Sequence, residues 1–304
     1  MDIERRLKNL AVPGGRADVV LDTDAYNEID DQFAIAYLLK SKEKLDVKAI
    51  YAAPFHNARS ESPGDGMEKS YEEILKLLSL ADETADVFRG SDRYLPDEAT
   101  PVVSDAARDL AERAKRYSPQ KPLYVVAIGA ITNIASAILL NPAVAENTVV
   151  VWLGGHAHHF CDNREFNMFQ DVAAARVVMG SGVPFVQLPC EGVVRSFTLS
   201  KPELEKWFIG KNELATYLAE NSIAEAETYA TERSWTRVIW DVTAVAWLLN
   251  DDGKFMEDKL ISSPIPEYDM QYAVNTNRHF IKYVHRINRD ALFEDLFEKL
   301  KKGI

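Results

Sequence analysis

The stretch VVLDTDAYNEIDDQFAIAYLL, running from Val19 to Leu39, decides how this chain is read. A short β-branched run opens it, and an apolar run with helical spacing closes it. Between them stand Asp22, Asp24, Asp30 and Asp31. A strand followed at once by a helix is the start of a βαβ unit. The carboxylates then fall beyond the carboxyl end of a strand, where open α/β sheets collect ligands. Carboxylates packed together repel, and burying them without partners is costly. The stretch contains no Lys or Arg, so a bound cation is the natural compensation. An all-oxygen donor set favours Ca2+, with Mg2+ second. Taken singly, each Asp also has a plainer reading. Asp30 or Asp31 would cap a helix starting near Gln32, and the others would be solvated turn residues.

Working outward, short β-rich runs alternate with helical patterns. ADVVLD, LDVKAIYAAP, ADVFRG, PLYVVAIG, TVVVWLGG and VPFVQLP read as strands. The uninterrupted apolar character of several of them suits parallel strands buried on both faces. DDQFAIAYLLKS, GMEKSYEEILKLLSL, PVVSDAARDLAERAKRYS (with Pro101 at its start), AITNIASAILLNP and QDVAAARVVMGSG read as the intervening helices. The fold class is therefore α/β, a mostly parallel central sheet with helices on both faces. After Gly192 the pattern turns mainly helical, with KPELEKWF, NELATYLAENSIAEAETYAT, VIWDVTAVAWLLN and the closing DALFEDLFEKLKK, and HFIKYVHRI as a late strand. No repeat or linker interrupts the chain, so residues 1–304 are expected to form one domain.

The chain has 304 residues, 47% of them hydrophobic, and a formal net charge of -12. That composition supports a large core. It disfavours nucleic acid as a partner, because phosphate backbones are met by basic faces. No apolar run reaches the roughly 18 residues a membrane span needs, and the N-terminal stretch lacks a secretory apolar segment. A cytoplasmic protein with two free thiols, Cys161 and Cys190, is expected, with no membrane partner.

Four blocks resemble the nucleoside hydrolases of the inosine–uridine-preferring superfamily. The family opens with a strand and D-x-D-x-x-x-D-D; here DTD and DD are separated by five residues, AYNEI, rather than three. AIGAITNIASAILLNP resembles its G-P-L-T-N-[IV]-A segment. WLGGHAHHFCDNREFNMFQDVAAARVV resembles its M-G-G … E-F-N-x-x-x-D-P-E-A-A segment. WDVTAVAWLL resembles its H-D-P-[LT]-A-V helix start. The resemblance implies a Rossmann-like nucleoside hydrolase fold and Ca2+-dependent hydrolysis of the N-glycosidic bond of a ribonucleoside. It implies Asp24 as metal ligand and general base, and Asp31, Asp241 and the main-chain carbonyl of Ile128 as further metal ligands. Asp30, Asn57, Glu165 and Asn167 are then expected on the ribose, Leu153 in the sugar pocket, and Asp22 in a structural role. Relatives assemble as homodimers or homotetramers, so a homo-oligomer is implied.

Trp240 stands where many members carry His as a candidate leaving-group acid. The purine-preferring branch has Trp there, stacked on the base, which implies purine nucleosides as substrates. A core Trp at a helix start is the plainer reading. His56, His158, Tyr229 and Trp235 are further candidates for substrate contact, with packing roles as the alternative. His156, His158, His159 and Cys161 also admit a Zn2+ reading, and a His of this loop is a candidate acid for the base. Two other functions stay open. D-x-D after a strand also begins the metal-dependent phosphatase site of the haloacid-dehalogenase type. A repurposed family member would bind or cleave another ribosyl or sugar ligand.

Overall fold

Strand β1 (Ala17–Thr23) pairs in parallel with two neighbours, β2 (Leu45–Ala52) and β4 (Leu123–Ala127). Around this centre the computed structural model, which describes residues 2–301, places eight strands in one sheet. The others are β3 (Val87–Arg89), β5 (Thr148–Leu153), β6 (Phe185–Leu188), β9 (Met256–Ser262) and β12 (Phe280–Ile287). The order is β3-β2-β1-β4-β5-β6-β12-β9, and only β9 runs antiparallel, against β12. Two small ribbons complete the strands: β7 (Thr198–Ser200) with β8 (Thr236–Val238), and β10 (Ile265–Pro266) with β11 (Tyr272–Ala273).

Period-2 alternation explains why the central runs are wholly apolar. Val19 and Leu21 of β1, with Val149, Val151 and Leu153 of β5, enter one core; Val20, Val150 and Trp152 enter the other. Helices 30–39, 242–248 and 289–301 cover the first face, and helices 105–113, 132–140 and 172–180 the second. Helix 30–39 is buried along its whole length, as expected of a helix with apolar residues all round. The mostly parallel sheet with helices on both faces is the architecture read from the sequence.

Several details differ. The helix expected from Pro101 starts at Asp105, because Ser104 caps it by accepting from the Ala107 N–H at 3.1 Å. The late helix begins at Val242, since Val238 still belongs to β8. The C-terminal part carries its expected helices, and β9 adds an edge strand. Its exposed face and rim bear Glu257, Lys259 and Leu260, so no clean alternation marks it. Asp30 and Asp31 do not cap their helix. Ile29 occupies the cap position, and both carboxylates stand in the first turn. There they meet the partial positive charge of the helix start.

The strand order reverses on either side of β1, so the connections leaving β1 and β4 diverge. The crevice beyond their carboxyl ends is where a doubly wound sheet offers a site.

Candidate active site

The crevice is real: a cleft of about 220 Å3 opens over the ends of β1, β4, β5 and β6. Seven carboxylates border it, from Asp24, Glu28, Asp30, Asp31, Glu165, Glu191 and Asp241, against one guanidinium, that of Arg164. Asp24 follows β1, Asp30 and Asp31 open the next helix, and Asp241 precedes helix 242–248. Carboxylate oxygens of Asp30, Asp31 and Asp241 lie within 4.8 Å of one another. The Thr23 hydroxyl donates to Asp31 Oδ1 at 2.5 Å. Both oxygens of Asp24 are buried with no hydrogen-bond partner. Gly129 makes room for them: a Cβ there would lie 3.1 Å from Asp24 Oδ1 and 3.1 Å from the Ala53 Cβ.

Such a cluster is costly without a cation. Burial raises Asp24, Asp30 and Asp241 well above the usual carboxylate range, and neighbouring carboxylates add to each rise. Burial raises Asp31 to about 7, even though the Thr23 hydroxyl donates to it. The Ile128 carbonyl, at the end of β4, borders the same cleft. It accepts from Asn167 Nδ2 at 3.1 Å, and its second lone pair is left for another partner. Hard oxygen donors, carboxylate surplus and Asp24's partnerless oxygens fit a divalent cation of the Ca2+ type. The carboxylates of Asp30, Asp31 and Asp241 are grouped closely enough to hold it, and Asp24 and Ile128 border the same cleft.

Other expected residues take clear positions. Asp22 lies behind the cleft, accepting from Asn133 Nδ2 at 2.8 Å, and burial raises it to about 7. Asn133 Oδ1 in turn accepts from the Ser91 N–H and hydroxyl, which ties β1 to the turn after β3. A phosphatase site of D-x-D type needs both aspartates facing one ligand, and here only Asp24 does. Asn167 borders the cleft and donates to the carbonyls of Ile128 and Leu153. Glu165 caps helix 166–170, and its two oxygens accept from the N–H groups of Gly155, Asn167 and Met168. Leu153 and Trp240 also border the cleft.

Asn57 does not reach it directly. Its Nδ2 donates to Asn27 Oδ1 at 2.6 Å, and Asn27 borders the cleft in its place. His56 is exposed outside the cleft. His158 also points away: its ring lies 4.6 Å from that of Tyr272 and 4.5 Å from that of Tyr283, with Nε2 against Gln187 Oε1. Tyr229 and Trp235 lie outside the cleft, Tyr229 accepting from Arg237 Nη1 at 2.7 Å. The four His and Cys residues of the 156–161 loop form no metal-ligand group among the described residues. His156 rather than His158 borders the cleft.

Some contributors carried no motif. The longer AYNEI spacer brings Asn27 and Glu28 to the rim. Glu28 pairs with Arg237 at 2.9 Å, and Glu225 joins Arg237 to Arg59. Cys190 and Glu191, after β6, form another wall. A signal for Glu28 did exist, since it is a fifth acid in the opening stretch.

A doubly wound sheet carrying a buried carboxylate cluster at its switch point is the setting of a small-ligand site able to hold a divalent cation. Comparison with known proteins gives the family. The sequence profile described as inosine-uridine preferring nucleoside hydrolase matches residues 19–280, so the chain belongs to that family, whose members hydrolyse the N-glycosidic bond of ribonucleosides. The chain is 27% identical over 262 residues to a pyrimidine-specific ribonucleoside hydrolase, RihA, of Escherichia coli O127:H6, covering 77% of this chain and 80% of RihA. The fold matches an inosine-guanosine nucleoside hydrolase with TM-score 0.76 at 17% identity, covering 95% of this chain and 100% of that one. It matches a purine-preferring ribonucleoside hydrolase from Gardnerella vaginalis with TM-score 0.74 at 17% identity, over 93% and 98% of the two chains. Among the described residues no helix is long and apolar enough to cross a membrane, and both cysteines are unpaired.

Proposed function

We propose that this chain is a Ca2+-dependent ribonucleoside N-glycosidase that favours purine nucleosides, acting as one domain over residues 1–304. The observation that carries the reading is Asp24, whose two buried oxygens have no hydrogen-bond partner in the cleft where the Asp30, Asp31 and Asp241 carboxylates gather. Asp24, Asp31, Asp241 and the Ile128 carbonyl hold the ion. When bound, Ca2+ supplies the positive charge that keeps the cluster ionised and makes a neighbouring water easier to deprotonate.

The chain's own groups do the rest. Asp24 takes the proton of the attacking water. Asp30 and Asn167 bind ribose hydroxyls, and Glu165 keeps Asn167 in place through its cap. Leu153 packs under the sugar. The surrounding carboxylates favour the positive charge that develops on the ribose ring as the glycosidic bond breaks. Trp240 presents an aromatic face for the base, and a purine offers the larger stacking area. A homodimer or homotetramer in a reducing, cytoplasmic compartment agrees with the unpaired thiols.

The test is release of reducing sugar from inosine, adenosine, guanosine, uridine and cytidine, with Ca2+ and with EDTA. Faster release from the purine nucleosides, lost with EDTA, is the expected result. Preference for uridine and cytidine, as the name of RihA describes, would overturn the Trp240 argument. No release from any of them would overturn the glycosidase reading itself.

A further inference from the structure

We infer that His156 is the general acid that protonates the departing base, a role that rests on the N-glycosidase reading above. Heterolysis of the C1′–N bond leaves an electron pair on the base, and a poor leaving group of this kind needs a proton. The groups bordering the cleft can be sorted by whether they have a proton to give. Glu28 is ion-paired to Arg237 at 2.9 Å, and Glu191 to Arg195 at 2.6 Å. Asp24, Asp31 and Asp241 are committed to the cation, and Asp30 to the ribose hydroxyls. Glu165 is raised by burial, yet both its oxygens already accept from three main-chain N–H groups. Burial pushes the Cys190 thiol well up, which makes it a poorer acid. Arg164 does not release its proton near neutrality. His156 is what remains, and imidazole is the side-chain type that exchanges protons in that range.

Its placement supports the role. Gly155, just before it, has φ +75, and a Cβ there would fall 2.1 Å from the Tyr272 hydroxyl, so the turn that aims His156 requires glycine. The His156 N–H donates to Asn163 Oδ1 at 2.8 Å, which fixes the backbone. The ring's Nδ1 is buried within the protein and has no partner. The next residue ties this loop to the base side of the cleft. The Ala157 N–H donates to the Glu191 carbonyl at 2.9 Å, Glu191 pairs with Arg195, and the Arg195 guanidinium sits 5.9 Å from the Trp240 ring centre. The acid and the stacking face thus stand on linked segments of one wall.

The step balances. The C1′–N bond breaks with its pair on the base, and His156 gives a proton to a base ring nitrogen. Water adds hydroxide to C1′ and gives its proton to Asp24. Asp24 then loses that proton to solvent, and His156 regains one.

The experiment compares wild type, His156→Gln and His156→Asn, all with Ca2+, on inosine and on a riboside whose leaving group is p-nitrophenolate. The second substrate departs without a proton. The expected result is a fall in kcat on inosine of about 100-fold, at the low end for general acid catalysis. The activated riboside should lose less than about threefold. Equal losses on both substrates would overturn the proposal and make His156 a structural residue, and so would no loss on inosine. Wild-type protein that cleaves neither riboside would instead remove the glycosidase reading on which this one stands.

Discussion

The acidic cluster makes a quantitative demand on stability. In metal-free protein, burial holds Asp31 at about 7, against 3.8 for an ordinary Asp. Its folded-state value is raised, so the folded state binds more protons than the unfolded chain between those limits. Stability is then fully present below the unfolded value and is lost as pH rises toward 7. From pH 5 to pH 8 this one group removes roughly 2–3 kcal/mol. Asp24, Asp30 and Asp241 act in the same direction. Unfolding entropy for 304 residues is about 0.6 kcal/mol/K, so Asp31 alone lowers Tm by about 4 °C. A cation bound at 100 times its Kd returns about 2.7 kcal/mol, or about 4 °C. The assay is thermal unfolding in EDTA and in Ca2+ at pH 5, 6, 7 and 8. Metal-free Tm should fall across the series, and the gain on adding Ca2+ should grow with pH. Asp31→Asn should make the metal-free slope shallower without abolishing it. A metal-free Tm that rises from pH 5 to 8, or a Ca2+ gain that is largest at pH 5, would refute the reasoning.

Three further outcomes follow from the packing. Asn133→Ala leaves the fully buried Asp22 carboxylate without its donor. It should cost about 1–3 kcal/mol, seen as a fall in Tm of a few degrees with Ca2+ affinity largely kept. Gly129→Ala pushes a methyl group against Asp24 and Ala53, so Ca2+ affinity by calorimetry should fall by about tenfold or more as the Asp24 carboxylate is displaced. Trp240→Ala removes the aromatic face and should lower kcat/KM for inosine by roughly 2- to 13-fold, the worth of an aromatic contact. Uridine should be affected less.

The sheet was legible because its strands are buried on both faces and therefore read as unbroken apolar runs. VVL, LYVVA and TVVVWL could hardly be surface segments. Edge strand β9 was not legible. MEDKLIS buries Met256 but carries charges on both of its faces, and only its pairing with β12 makes it a strand. Helix starts slipped where side-chain caps decided them, as Ser104 did over Pro101.

In the site, aspartates close in sequence were readable as a cluster. Asp241 joined them through the resemblance of its helix start, since more than 200 residues separate it from Asp24. The lengthened AYNEI spacer was visible, but its effect was not. It interposes Asn27 between Asn57 and the cleft and sets Glu28 against Arg237. In the HAHHFC loop, residue type alone could not separate His156 from His158. The left-handed turn at Gly155 and the Tyr272–Tyr283 pair decide which ring borders the cleft.

The central claim is that Asp24 is the base of a ribonucleoside-cleaving site. Asp24→Asn keeps the size and one acceptor oxygen of that side chain but cannot take a proton. Single-turnover ribose release from inosine, with variant and Ca2+ both saturating, tests the claim most directly. Loss of at least about 100-fold in the cleavage rate, with nucleoside binding retained, is the predicted result. A cleavage rate within a few-fold of wild type would contradict it.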